Sequence, residues 1–186
     1  MGTDKANLII DGRRLVEVMA ERLKSIEAID AVVISGSREK YGDLGFACVE
    51  DEMSGLGPLE GLRSVVCHLK REGLQASRLL VVPVDMPGLR SSHLQSLLSA
   101  NDGDRNDGVA AVGFVGYELP ALFHNDERLC GYLDGVCGSE SVGKRSRSFQ
   151  RLFAELGKAE VAFIGDEPEM SFLNANTPEE WKRFLR

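Results

Sequence analysis

Apolar residues along this chain alternate between helix-like spacing and short continuous runs. Leu15, Val18, Met19, Leu23 and Ile26 recur at helical spacing, and a β-rich run follows over 31–34. A second strand is expected over 46–49, and Leu59, Leu62, Val66 and Leu69 then define one apolar helical face. Residues 79–84, Leu-Leu-Val-Val-Pro-Val, form the clearest strand pattern, and their unbroken apolar character suits a parallel strand buried on both faces. Ser91 and Ser92 offer an N-cap for a helix carrying Leu94, Leu97 and Leu98. A polar loop over 101–108, a strand over 109–115, a helix over 147–156 and a strand over 161–164 follow. Pro178 suits the first turn of a closing helix through Trp181 and Leu185. This alternation predicts an α/β fold, with a mostly parallel sheet covered by helices on both faces. With no internal repeat and no linker, residues 1–186 read as one domain.

Composition narrows the class. The chain has 186 residues, 43% hydrophobic and 27% charged, enough for one domain with a real core. No apolar run approaches the ~18 residues of a membrane span, and no basic-then-apolar leader opens the chain. Cys48, Cys67, Cys130 and Cys137 form no C-x-x-C pair and no zinc-ligand spacing, which reads as reduced thiols in a cytoplasmic protein. The net charge of −7 argues against broad nucleic-acid binding. It leaves phosphate ligands open, because backbone N–H groups, a lysine and a metal ion can hold them at any overall charge.

Four segments carry candidate chemistry. Asp85, in Asp85-Met86-Pro87, ends the clearest strand, and ligands of open α/β sheets bind beyond the carboxyl ends of strands. A carboxylate there can hold Mg²⁺ against substrate phosphates; the plain alternative is an aspartate opening a turn before Pro87. Asp51 ends another strand, and Gly55, Gly57 and Gly61 follow, a pattern that lets backbone approach a ligand closely but is common in βα loops. Lys5, soon after Gly2, can sit as a point charge on phosphates or be an ordinary terminal residue. Thr177, Pro178 and Glu180 read as a capping box. That leaves Asn174 and Asn176 as amides able to face a ligand.

In this order the segments Met1-Gly2-Thr3-Asp4-Lys5, Asp51 with Gly57-Pro58-Leu59-Glu60-Gly61, Asp85-Met86-Pro87 and Asn174-Ala175-Asn176-Thr177-Pro178-Glu179 resemble the molybdenum cofactor guanylyltransferases. Glu118-Leu119-Pro120-Ala121-Leu122 is similar to the family's segment around a proline in the substrate half, so the resemblance spans the chain. It implies a three-layer αβα, Rossmann-like nucleotidyltransferase fold. It also implies transfer of GMP from GTP to molybdopterin with release of pyrophosphate, dependent on Mg²⁺. The roles implied are Asp85 as catalytic metal ligand, Lys5 as catalytic contact to the triphosphate, and Asp51 and Ser37 as nucleotide contacts. Asn174 and Asn176 would face the pterin. Partners would be GTP and molybdopterin, with transient contacts to molybdoenzymes or other cofactor-biosynthesis proteins, and neither nucleic acid nor membrane. A related enzyme using another nucleotide such as CMP or another acceptor, and a catalytically degenerate cofactor-binding module, stay open.

Two departures from the family matter. Its opening strand and Gly-rich loop ahead of the Lys5 segment are absent here, so the natural protein is expected to be longer and Met1 to be an internal methionine. A strand of that kind would bury about four aliphatic side chains at about 1.5–3 kcal/mol each, comparable to a whole domain's net stability of roughly 5–15 kcal/mol. Ser37, in Ile34-Ser35-Gly36-Ser37-Arg38, stands where the family commonly has an asparagine, and one hydroxyl lacks the paired donor and acceptor of an amide. Residues 138–145 nearly match a P-loop, but Arg145 replaces the required Ser or Thr and no strand pattern precedes them. His68, His93 and His124 pair with no nucleophile in the pattern, which argues against a hydrolase of the Ser/His or Cys/His kind.

Overall fold

A computed structural model of the chain describes residues 4–100, 108–138, 147–165 and 168–185. Residues 139–145 of the near-P-loop, most of the polar loop at 101–108, and Met1 to Thr3 lie outside the described residues. The elements in order are β1 (Ile9–Ile10), β2 (Arg13–Arg14), α1 (Leu15–Lys24), β3 (Val33–Ser35), α2 (Arg38–Tyr41), β4 (Ala47–Val49), α3 (Pro58–Arg71) and β5 (Arg78–Val81). Then come α4 (Ser91–Ala100), β6 (Ala111–Phe114), β7 (Ala121–His124), α5 (Glu127–Cys137), α6 (Phe149–Leu156), β8 (Lys158–Val161), α7 (Pro168–Ser171) and α8 (Pro178–Lys182).

Strands β3 and β4 pair in parallel, and a second sheet has the order β5-β7-β6-β8. In that sheet β7 runs antiparallel to both β5 and β6, while β8 is parallel to β6, so only β7 is reversed. Alternate residues of the central strands feed two cores, as a period of two requires. Ala111, Ala121 and Phe123 pack with Leu59, Leu62 and Val66 of α3, Leu129 and Leu133 of α5, and Leu152 of α6. Leu122 and Phe114 face the other way, against Leu15 and Met19 of α1, Leu97 of α4, Phe172 and Trp181. The result is the expected three-layer αβα arrangement with a mostly parallel sheet. Among the described residues no helix is long and apolar enough to cross a membrane.

Several expectations need correction. The run at 79–84 leaves the strand after Val81, and β5 is half-buried rather than enclosed, because among the described residues β7 is its one strand neighbour. The fully buried strand is β6. The last strand is Lys158–Val161, three residues earlier than the apolar run at 161–164, and Ile164 is 78% exposed beyond it. A buried lysine disguised this strand: Lys158 tucks beneath Gly113 and spends its ammonium on the carbonyls of Phe114 and Tyr117. Strand β7 and helix α5 escaped the sequence reading. Asp126 caps α5 at the Leu129 N–H, and Leu129, Leu133 and Cys137 form its buried stripe, while Gly131 and Gly135 face open space. Ser91 does not cap α4; its hydroxyl donates to the Arg22 carbonyl. The capping box of Thr177 and Glu180 is present.

Candidate active site

The segments after β3, β4 and β5, the turn at Lys5 and the loop after α7 carry the sequence candidates. Asp85 lies four residues past β5, and its carbonyl accepts a hydrogen bond from Ala175 N at 2.8 Å. That bond ties the β5 loop to the segment carrying Asn174 and Asn176. Lys5 opens a 3-10 turn, Lys5–Asn7, capped by the Asp4 carboxylate at Ala6 N. Its ammonium lies 3.0 Å from Asp85 Oδ2 and also donates to Asn176 Oδ1. Side chains 80 and 171 positions apart from Lys5 in sequence therefore meet at its ammonium. Lys5 and Asp85 are 32% and 23% exposed, reachable from solvent but held in place.

The Lys5 turn is fixed from behind. Asp4 Oδ2 accepts from Tyr41 Oη at 2.7 Å and from Lys40 Nζ at 3.0 Å. Burial pushes the Asp4 carboxyl up, but the hydrogen bonds from Tyr41 and Lys40 outweigh it and hold it below the usual range. Burial, then the bond to Asp4, drives the Tyr41 phenol upward, so both groups keep one protonation state near neutrality.

Asp51 and Ser37 lie at the ends of β4 and β3, with no bond to the Lys5 cluster. Asp51 stands over the first turn of α3, where a Cβ on Gly61 would come within 3.5 Å of its Oδ1 and 2.6 Å of Ser35 Oγ. A side chain at Gly61 would therefore have to displace the Ser35 hydroxyl. Burial, then the neighbouring Glu60, raises the Asp51 carboxyl. The loop after Asp51 is gripped from below: Glu52 N donates to Ser64 Oγ and Met53 N to Glu60 Oε1, both at 3.0 Å. Ser37 stands at the N-cap position of α2 without a side-chain capping bond, and Arg38 N donates to Glu50 Oε1 at 2.8 Å.

Asp85 and Asn174 line a cleft of about 380 Å³ whose other walls include Met86, Tyr117, Glu118 and Phe172. Tyr117 and Phe172 stack with ring centroids 3.8 Å apart and planes 17° from parallel. Asn174 Oδ1 is buried and has no hydrogen-bond partner among the described residues. Tyr117, Phe172 and Tyr41 were not legible as site residues, since a lone aromatic in a sequence reads as core. The similarity of 118–122 to a substrate-half segment was the one signal near Tyr117. Among the described residues no three His, Cys, Asp or Glu side chains cluster as a ready-made metal cage.

Comparison with known proteins bears on the family and the fold. The family model described as MobA-like NTP transferase domain matches residues 1–159. A molybdenum cofactor guanylyltransferase of Xanthomonas euvesicatoria pv. vesicatoria is 34% identical over 189 residues, covering 100% of this chain and 87% of that protein. One from Shewanella sp. (strain MR-4) is 31% identical over 194 residues, covering 98% and 86%. The crystal structure of molybdopterin-guanine dinucleotide biosynthesis protein A from Archaeoglobus fulgidus shares the fold, with TM-score 0.71, 18% identity, and 99% and 90% of the two chains covered. A 4-diphosphocytidyl-2C-methyl-D-erythritol synthase shares it too, at TM-score 0.63, 19% identity, and 98% and 96% coverage. With its matched family model and relatives matched along almost their whole length, this chain belongs to the MobA-like NTP transferase family.

Proposed function

We propose that this chain transfers GMP from GTP to molybdopterin and releases pyrophosphate. The observation that carries the reading is the meeting of Lys5, Asp85 and Asn176 beside a cleft with an aromatic wall. The relatives named molybdenum cofactor guanylyltransferase support the same substrates.

An oxygen of the acceptor's terminal phosphate forms a bond to the α-phosphorus of GTP. The bond from that phosphorus to its bridging oxygen breaks, and pyrophosphate leaves with the bonding pair. No redox change occurs, so catalysis is positioning and charge neutralisation. Lys5 places its positive charge on the triphosphate, exchanging the Asp85 oxygen for phosphate oxygens. Asp85 offers one partly exposed carboxylate and, among the described residues, has no carboxylate neighbours forming a cage. This fits Mg²⁺, which is held by one or two carboxylates plus substrate phosphates and keeps several waters. Mg²⁺, when bound, would supply further neutralisation of charge on the triphosphate. Asp51 and Ser37 contact the nucleotide from the ends of β4 and β3. Asn174 faces the pterin from the wall of the cleft that Tyr117 and Phe172 also line.

The test is calorimetric titration with GTP and with CTP, with and without Mg²⁺, on this chain and on a version extended upstream in frame. Pyrophosphate release is then followed with molybdopterin present. Metal-enhanced GTP binding with release upholds the reading. Preference for CTP moves it to a related nucleotidyltransferase, and binding without release moves it to a cofactor-binding module.

A further inference from the structure

Arg22, on the last turn of α1, is half-buried and directs its guanidinium at the backbone of the Asp85 loop. Its Nη1 donates to the carbonyl of Pro87 at 2.5 Å and to that of Leu89 at 2.7 Å. Burial, then the nearby Arg90 charge, lowers its pKa, with Asp11 opposing. A half-buried charge spent on carbonyls is a costly arrangement unless the segment it holds must stay where it is. We propose that Arg22 is the positioning residue for Asp85, setting the carboxylate against Lys5 by fixing the carbonyls two and four residues further on.

The surrounding contacts all hold the same short turn. Leu89 N closes it on Met86 O at 3.1 Å, and Ala175 N holds the Asp85 carbonyl at 2.8 Å. Gly88 lies against the Met170 backbone. The Arg22 carbonyl in turn accepts from Ser25 Oγ at 2.7 Å and Ser91 Oγ at 3.1 Å, so the end of α1 and the start of α4 are locked together. The Leu89–Met86 bond closes the turn on itself, Gly88 packs within it, and the other contacts restrain its Asp85 end or the neighbouring helices. Arg22 alone, among these, reaches two carbonyls within it from the α1 side. Methionine at 22 keeps much of the apolar stem and removes both donors. Lysine keeps the charge and three rotatable donors but loses the planar fork.

The inference rests on the reading of Asp85 given above for its effect on nucleotide, and not for its effect on the turn. Its test uses Arg22→Met and Arg22→Lys with two readouts. Amide hydrogen exchange at Asp85, Met86, Gly88, Leu89 and Ala175 is expected to quicken about tenfold or more in Arg22→Met, with α3 and α5 unchanged. The gain in GTP affinity on adding Mg²⁺ is expected to fall about tenfold in the same variant, metal-free affinity staying constant, and to recover in part in Arg22→Lys. Unchanged exchange at the turn overturns the proposal. So does faster exchange spread across α3 and α5 with equal loss of affinity in the presence and absence of metal, which marks a general structural role. If exchange quickens only at the turn while the unaltered protein shows no metal-dependent GTP binding, the positioning stands and the proposed function falls.

Discussion

Replacing Gly88 with alanine tests whether the segments carrying Asp85 and the two asparagines are packed without slack. A Cβ at Gly88 would lie 2.2 Å from the Met170 carbonyl oxygen and 3.0 Å from Ser171 Cα. These are backbone atoms with no rotamer to change. Ordinary contact begins near 3.4 Å, so the α7 segment must withdraw by about 1 Å. Gly88 has no positive φ, so alanine meets no backbone strain and the clash stands alone. Overpacking of this kind typically costs ~1–3 kcal/mol, and the Ala175-to-Asp85 bond spans the junction that must open. A shift of about 1 Å at a reacting centre lowers turnover on the order of 10²-fold. The assay is urea unfolding for stability and pyrophosphate release for turnover. Gly131→Ala is the internal control: a Cβ there meets nothing within 4 Å. Relief of a glycine in a helix interior predicts a gain of up to about 1 kcal/mol. If Gly88→Ala matches the unaltered protein in both measurements while Gly131→Ala behaves as expected, the close packing of these segments is refuted.

Further expectations follow from the same contacts. Asp85→Asn is expected to abolish the Mg²⁺-dependent part of GTP binding while leaving the urea midpoint near that of the unaltered protein, as measured by calorimetry and denaturation. His93 is 5% exposed and accepts Arg90 N at Nδ1, 3.2 Å away. Burial, then Arg90, lowers its pKa. The folded state then binds fewer protons than the unfolded chain, so stability is full above the ordinary histidine value of about 6.5 and is lost as pH falls through the lowered value. His93→Gln should flatten that part of a stability-against-pH curve. Phe114, fully buried, is expected to cost ~3–5 kcal/mol on change to alanine. Ile164→Ser, beyond the end of β8, should fall within about 0.5 kcal/mol of the unaltered protein.

Where a segment's own residues decide its conformation, the sequence was sufficient. The apolar stripe of α3 and the capping box of α8 were readable because both arise from contacts within a few residues. The β3 and β4 runs were readable too, and the order of the four chemical segments pointed to the family. Elements stabilised from elsewhere were not readable. The glycines of α5 weaken its helical signal, and packing against α3 overrides them. Lys158 makes β8 look polar until the carbonyls of Phe114 and Tyr117 are placed beside it.

The same division holds for the site. The sequence by itself determined the alternation of strands and helices, the chemical types of Lys5, Asp51, Asp85, Asn174 and Asn176, and the place of Asp51 and Asp85 at strand ends. Only the tertiary structure decided that Lys5, Asp85 and Asn176 touch, that Asp51 and Ser37 stand apart from that contact, and that Tyr117 and Phe172 wall the cleft. It alone decided that Arg22 holds the Asp85 turn. The reason is distance along the chain. Hydrophobic period and capping are local and repeat in every protein, whereas a side chain meeting another 171 positions away depends on how the layers pack.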